Sequence, residues 1–175
     1  MLTRWTGMMC CVGLVAVMWG AEPLSSGAAE KTSCDPKGKT ANLNFTLKDM
    51  NGKEVTLSAY KGKVILLDFW ATWCGPCKIE IPGFVEIYKK YEPLGLVVLG
   101  VSIDDPVDKL KPFALQFKMN YPVLVGLGHD DLQDAFGPLL GFPTSFLIRR
   151  DGTICRQHTG FMPKEQFERE IKSLL

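Results

Sequence analysis

The sequence predicts an α/β fold, with a central mixed β-sheet flanked by helices. Three observations predict it. Apolar extended runs alternate with segments of helical periodicity. One run, Val64 to Trp70, is apolar throughout except for Asp68, as in a strand covered on both faces. Near the end, two strands are joined by Arg150-Asp151-Gly152-Thr153, which closes an antiparallel hairpin. The 175 residues suit one domain plus a leader, and 46% hydrophobic content is enough for a core. A net charge of +1, from 20 basic and 19 acidic residues, argues against nucleic acid as a partner.

The first 29 residues have the layout of a secretory signal peptide. Arg4 gives a positive start, Trp5 to Trp19 is apolar apart from Thr6, and Ser25-Ser26-Gly27-Ala28-Ala29 offers small residues for cleavage. A retained membrane anchor through residues 5–19 is the alternative, although that run is short against the roughly 20 residues of a full span. Cys10 and Cys11 lie inside the run and read as apolar filler. Residues 30–41 are polar and read as a flexible lead-in to a domain at 42–175.

Within that domain, Leu43 to Leu47 alternates apolar with polar and Asp49-Met50-Asn51-Gly52 marks a turn. Lys53 to Leu57 then returns to make a hairpin. Ser58 to Lys63 reads as a turn or short helix, and Val64 to Trp70 as the central strand. Lys78 to Tyr91 reads as a helix with Ile79, Phe84, Ile87, Tyr88 and Tyr91 inward and a kink at Pro82. Gly95 to Ile103 is a second buried strand. Pro106 to Met119 is an amphipathic helix, capped by Asp104 or Asp105 and bent at Pro112. A short strand at Tyr121–Val125, a brief helix at Asp131–Phe136, the strands Ser145–Arg149 and Ile154–His158, and a helix from Lys164 to Leu175 complete the chain. His129 and His158 read as ordinary surface residues.

The chemistry centres on Trp73-Cys74-Gly75-Pro76-Cys77, between the central strand and its helix. A cysteine at a helix start meets unpaired N–H groups and the positive end of the helix dipole, which favour its thiolate. Two intervening residues let Cys77 reach back and resolve a mixed disulfide on Cys74. The spacing therefore predicts thiol–disulfide exchange and a redox-active Cys74–Cys77 disulfide. Zinc would need further ligands at similar spacing, and the chain offers no second Cys-x-x-Cys and only two histidines, so no metal is expected. A static disulfide closing so small a loop would constrain the unfolded chain little. Asp68, in a buried strand six positions before Cys74, reads as a proton acceptor with a raised pKa. Glu80, about one helical turn beyond Cys77, shares its face and can tune the cysteines or handle protons. Cys34 and Cys155 pair with each other, stay free or lie buried. Sequence does not decide, and the paired state is the less favoured of these.

These residues resemble the thioredoxin superfamily. Leu67 to Lys78, with Trp73-Cys74-Gly75-Pro76-Cys77 at its centre, is similar to thioredoxin almost residue for residue. Pro82 matches its kinking proline, and Gly141-Phe142-Pro143-Thr144 resembles the loop carrying its cis-proline. The exported TlpA/ResA (DsbE-like) group is the better match. The leader, an extra N-terminal hairpin at 43–57, the run Cys77 to Pro82, Gly100 to Asp104 and an inserted helix near 106–119 carry that likeness, over roughly 42–175. The resemblance implies a thiol–disulfide oxidoreductase in which Cys74 attacks, Cys77 resolves and Asp68 and Glu80 manage protons. Trp73, Gly75, Pro76, Phe142 and Pro143 shape the substrate surface. It implies no cofactor and a monomer, exported to the periplasm or beyond the cytoplasm. Partners would be protein disulfides, with apocytochrome c in cytochrome c maturation the group's best-known task, and a membrane thiol relay supplying electrons.

Two departures stand out: Gly100 replaces a thioredoxin lysine beside Asp68, and Phe142 is larger than the usual residue before the proline. Three rival functions are a disulfide-donating oxidase, a peroxiredoxin-like thiol peroxidase and a Sco-like copper chaperone. In the peroxidase pattern the threonine falls three positions before the cysteine, and here Thr72 is two before. The Sco pattern spaces its cysteines one residue further apart and adds a well-placed histidine.

Overall fold

The computed structural model describes residues 1–2, 34 and 38–175. The leader expected at 1–29 therefore lies almost wholly outside the described residues. A five-stranded sheet runs in the order β5-β4-β3-β6-β7. β3 (Val64–Trp70) sits at its centre, parallel to β4 (Leu96–Ser102), which is parallel to β5 (Val123–Val125). β6 (Thr144–Ile148) runs antiparallel to β3, and β7 (Ile154–Thr159) antiparallel to β6. All seven residues of β3 are buried, as its apolar run predicts.

The helices cover both faces. α1 (Gly75–Tyr91), α2 (Val107–Gln116) and α4 (Lys164–Leu174) lie on one. α3 (Asp130–Phe136) and the hairpin β1 (Thr46–Lys48) with β2 (Glu54–Thr56) lie on the other. The hairpin turn forms because Asp49 Oδ1 accepts from the amides of Asn51 and Lys53, both at 2.8 Å, with Gly52 at φ +86°.

Both sheet edges are partly covered. The Met50 amide donates to Val123 O at 2.9 Å, so the hairpin closes the β5 side. Residues 39–41, expected to be flexible lead-in, pair with the β6–β7 turn: Ala41 N donates to Gly152 O and Ile154 N to Lys39 O, each at 2.9 Å. An open strand edge presents unpaired backbone groups that invite further pairing, and these segments occupy some of them. Just upstream, Cys34 is disulfide-bonded to buried Cys155 on β7. The paired state disfavoured from sequence is thus the one adopted. The reason is tertiary, since the edge pairing of 39–41 carries Cys34 back to a residue 121 positions away.

Two helices depart from expectation. α1 begins at Gly75 rather than Lys78, and its inward register runs through Cys77, Glu80, Ile81, Phe84, Ile87 and Tyr91. Ile79 is therefore 67% exposed instead of buried. α2 is shorter than expected, with Pro106 itself as N-cap, and the chain leaves it through Lys118 at φ +54°.

Candidate active site

The site lies at the carboxyl end of β3, where α1 begins. Cys74 is the N-cap of α1, and its Sγ accepts from the Cys77 amide at 3.2 Å. Cys74 and Cys77 form a disulfide with Cα atoms 5.3 Å apart, both almost fully buried. Gly75 and Pro76 between them are exposed at the first two helical positions, where a proline's missing N–H costs nothing. The sulfurs pack with Trp70, Ile81, Leu110 and Phe113.

The loop before the helix is fastened from below. Buried Asp105, following β4, accepts from the Thr72 amide and from Ser102 Oγ, each at 2.7 Å, and also from the Thr72 hydroxyl. Trp73 is 60% exposed, and its Nε1 donates to Asp104 at 2.9 Å. Asp104 and Asp105 thus hold the cysteine loop instead of capping α2. Opposite Trp73 lies Phe142, ring centroids 6.2 Å apart and edge-on, and the Phe142–Pro143 peptide bond is cis. Pro143 O accepts from Gly160 N at 2.8 Å, which ties this loop to the end of β7.

Beneath the disulfide are two buried carboxyls. Asp68 accepts a 2.9 Å hydrogen bond from Ser145 Oγ on β6. Burial raises its pKa to about 7, and the Ser145 bond offsets part of that rise. Glu80, on the inner face of α1, accepts from the Met162 amide at 2.9 Å through Oε1, while Oε2 is buried without a partner in the protein. Its pKa is raised to about 8, first by burial and then by the charge of Asp68. Both carboxyls therefore change charge near neutral pH. Among the described residues no cluster of three or more His, Cys, Asp or Glu could hold a metal ion.

All nine site residues expected from sequence fall at or next to this pole. Sequence missed Asp105, Ser145 and Met162, whose contacts cross between elements distant in the chain. His158 is a correction: it is not a surface residue but is mostly buried edge-on to Phe167, with Nε2 2.7 Å from Glu170 Oε2. It is the register partner of Ser145, so β7 carries it under α4.

This fold, with a disulfide at the start of the helix that follows the central strand, defines a thiol–disulfide oxidoreductase of thioredoxin-like architecture. Known proteins agree. The chain is 38% identical over 139 residues to the thiol-disulfide oxidoreductase ResA of Geobacillus kaustophilus, covering 78% of this chain and 77% of that one. It is 35% identical over 131 residues to ResA of Bacillus thuringiensis subsp. konkukian, covering 75% of each. A candidate thiol:disulfide interchange protein DsbE from Chlorobium tepidum superposes with a TM-score of 0.72 at 36% identity, over 81% of this chain and 99% of that one. The chain belongs to the AhpC/TSA family, whose model matches residues 38–157.

Proposed function

We propose that this oxidoreductase works outside the cytoplasm as a reductant of protein disulfides. The observation that carries the reading is the Cys74-Gly75-Pro76-Cys77 disulfide at the N-terminus of α1, beside cis-Pro143 and above two carboxyls poised near neutral pH. In the reduced protein the Cys74 thiolate, held by the helix N-terminus, attacks one sulfur of a substrate disulfide. A mixed disulfide forms and the other substrate sulfur leaves as a thiolate. Cys77 then gives its proton to the carboxyl pair and attacks Cys74 Sγ. The second substrate sulfur departs and takes up a proton, and the Cys74–Cys77 bond is restored. Two electrons have passed to the substrate, and a membrane thiol relay supplies two more to reduce the Cys74–Cys77 disulfide.

Trp73, Phe142 and Pro143 form the docking surface, with Gly75 and Pro76 exposed at its centre. Residues 1–29 act as a cleaved leader or, through 5–19, as an anchor. The catalytic domain at 42–175 works as a monomer without cofactor. Disulfide-bonded Cys-x-x-Cys-His segments of apocytochrome c are the favoured substrate class, as the resemblance to the TlpA/ResA group implies; the likenesses to ResA and DsbE span 78% and 81% of the chain.

Equilibration of the purified protein with glutathione or dithiothreitol buffers tests the direction of transfer. A potential near thioredoxin's, about −270 mV, is expected. A value near the oxidant DsbA, about −120 mV, would overturn the reading and make the protein a disulfide donor. Peroxide consumption as fast as disulfide reduction would point instead to a thiol peroxidase.

A further inference from the structure

The α1 side of the sheet carries polar groups that the sulfur chemistry does not account for. Asp68 and Gly100 are register partners on adjacent parallel strands, so their side-chain positions share a face. Trp70, two residues beyond Asp68, faces the same way. A Cβ on residue 100 would stand 3.0 Å from Trp70 Nε1 and 3.1 Å from Tyr121 Cε2. Glycine there lets the indole nitrogen and the hydroxyl-bearing end of the tyrosine ring come down onto the strand beside Asp68. Tyr121 OH, Trp70 Nε1 and Glu80 Oε2 are all buried, and none has a hydrogen-bond partner in the protein. Each such orphaned group costs about 1–3 kcal/mol, and a phenylalanine at 121 would fill the same space without that cost. The Tyr121 hydroxyl also lies within electrostatic reach of both carboxyls, whose charges push its own ionisation further up after burial has raised it.

We propose that Tyr121 is a positioning residue of the redox site: its hydroxyl, with the Trp70 indole N–H, completes a polar cluster seated on Gly100 that stabilises the charged forms of Asp68 and Glu80, the carboxyls that take the proton of Cys77. The inference rests on the thiol–disulfide reading above and names residues it does not use. In the resolving step the proton leaves Cys77 Sγ for a carboxylate oxygen. The sulfur's electron pair forms the bond to Cys74 Sγ as the Cys74–substrate bond breaks, and the departing substrate sulfur takes a proton in turn. No further reactant enters. The two donors stabilise whichever carboxyl is charged, directly or through one water, and so set the pH at which the pair can accept the proton.

Removing a donor to a carboxylate makes the charged form less favourable, so the carboxyls should hold their protons to higher pH. The test is a carbon-13 side-chain titration of Asp68 and Glu80 in the oxidised full chain, comparing the parent with Tyr121→Phe. A rise in the midpoints of about half a pH unit, roughly threefold in ionised fraction, is expected. The acid limb of the disulfide-reduction rate should move up with them. Gly100→Ala, which displaces both rings, should act in the same direction. Unchanged midpoints in Tyr121→Phe overturn the proposal, and they do so even if Gly100→Ala shifts them, because the hydroxyl would then have no part. If the parent reduces no disulfide, the functional reading fails, while the carboxyl titration still decides the place of Tyr121.

Discussion

One strand separates two unlike halves of this protein. Ile65, Leu67 and Phe69 of β3 point to the hairpin side, where they meet Leu43, Leu47, Leu57, Leu99, Val101, Phe136 and Phe146 in a core that, among the described residues, holds no buried charge. Val64, Leu66, Asp68 and Trp70 point to the α1 side. That side is equally apolar at the amino end of β3, around Phe84 and Phe167, but turns polar at the carboxyl end beneath the disulfide. Stability and chemistry are thus divided across the thickness of one sheet. Groups that would be faults in the hairpin-side core can be kept on the α1 side, because the other half carries the fold.

Four substitutions test that division. The largest effect is expected from Cys74→Ser, which should reduce disulfide-exchange turnover to the buffer background while leaving the denaturation midpoint of the reduced protein close to its parent's. A coupled insulin-reduction assay and a urea titration, run on one preparation, read both. Phe69→Ala should do the reverse. It removes a ring that packs against Phe136 and Phe146, centroids 5.7 and 5.9 Å away, and should cost about 3–5 kcal/mol in urea while the thiol–disulfide potential stays put. A shift in that potential would show that the halves are coupled.

Asp68→Asn should be stabilising, with a sign that depends on pH. The carboxyl titrates near 3.8 when unfolded and about 7 when folded. Its protonated form is therefore favoured by folding, and that contribution is complete below pH 3.8 and lost as pH rises through 7. At pH 8 the substitution should raise the stability of the oxidised protein by up to roughly 4 kcal/mol, with little change at pH 4. It should also lower the Glu80 midpoint by removing a neighbouring charge. A loss of stability at pH 8 would contradict this account. The smallest effect is expected from His158→Gln. It disturbs a polar pair on the same side but away from the disulfide and should cost about 1–2 kcal/mol with turnover unchanged. Slower turnover would extend the functional region along β6 and β7.

The same division explains what could be read from the sequence. β3, the hairpins, the Cys-x-x-Cys and the loop of Pro143 are local signals, encoded by runs, turns and spacings within a few residues. Glu80 was legible because one helical turn links it to Cys77. Ile79 faces outward, against the expected inward register. With the helix beginning at Gly75 and Cys77 inward, Ile81 takes the buried position. Asp105 looked like a helix cap, and only the approach of two loops shows it holding Thr72. His158 looked exposed until α4 brought Glu170 over it. The cluster of Trp70, Gly100 and Tyr121 could not be inferred at all, since it depends on which rings settle over a missing side chain.

The second disulfide also bears on how the protein is held. β7 runs so that Cys155 stands at the end of the sheet where β3 begins, while Cys74 and Cys77 stand where β3 ends. The disulfide therefore fastens residue 34 to the domain at the pole opposite the reactive sulfurs. A pull on the chain at that point would bear on β7 and leave the active-site loop unstrained.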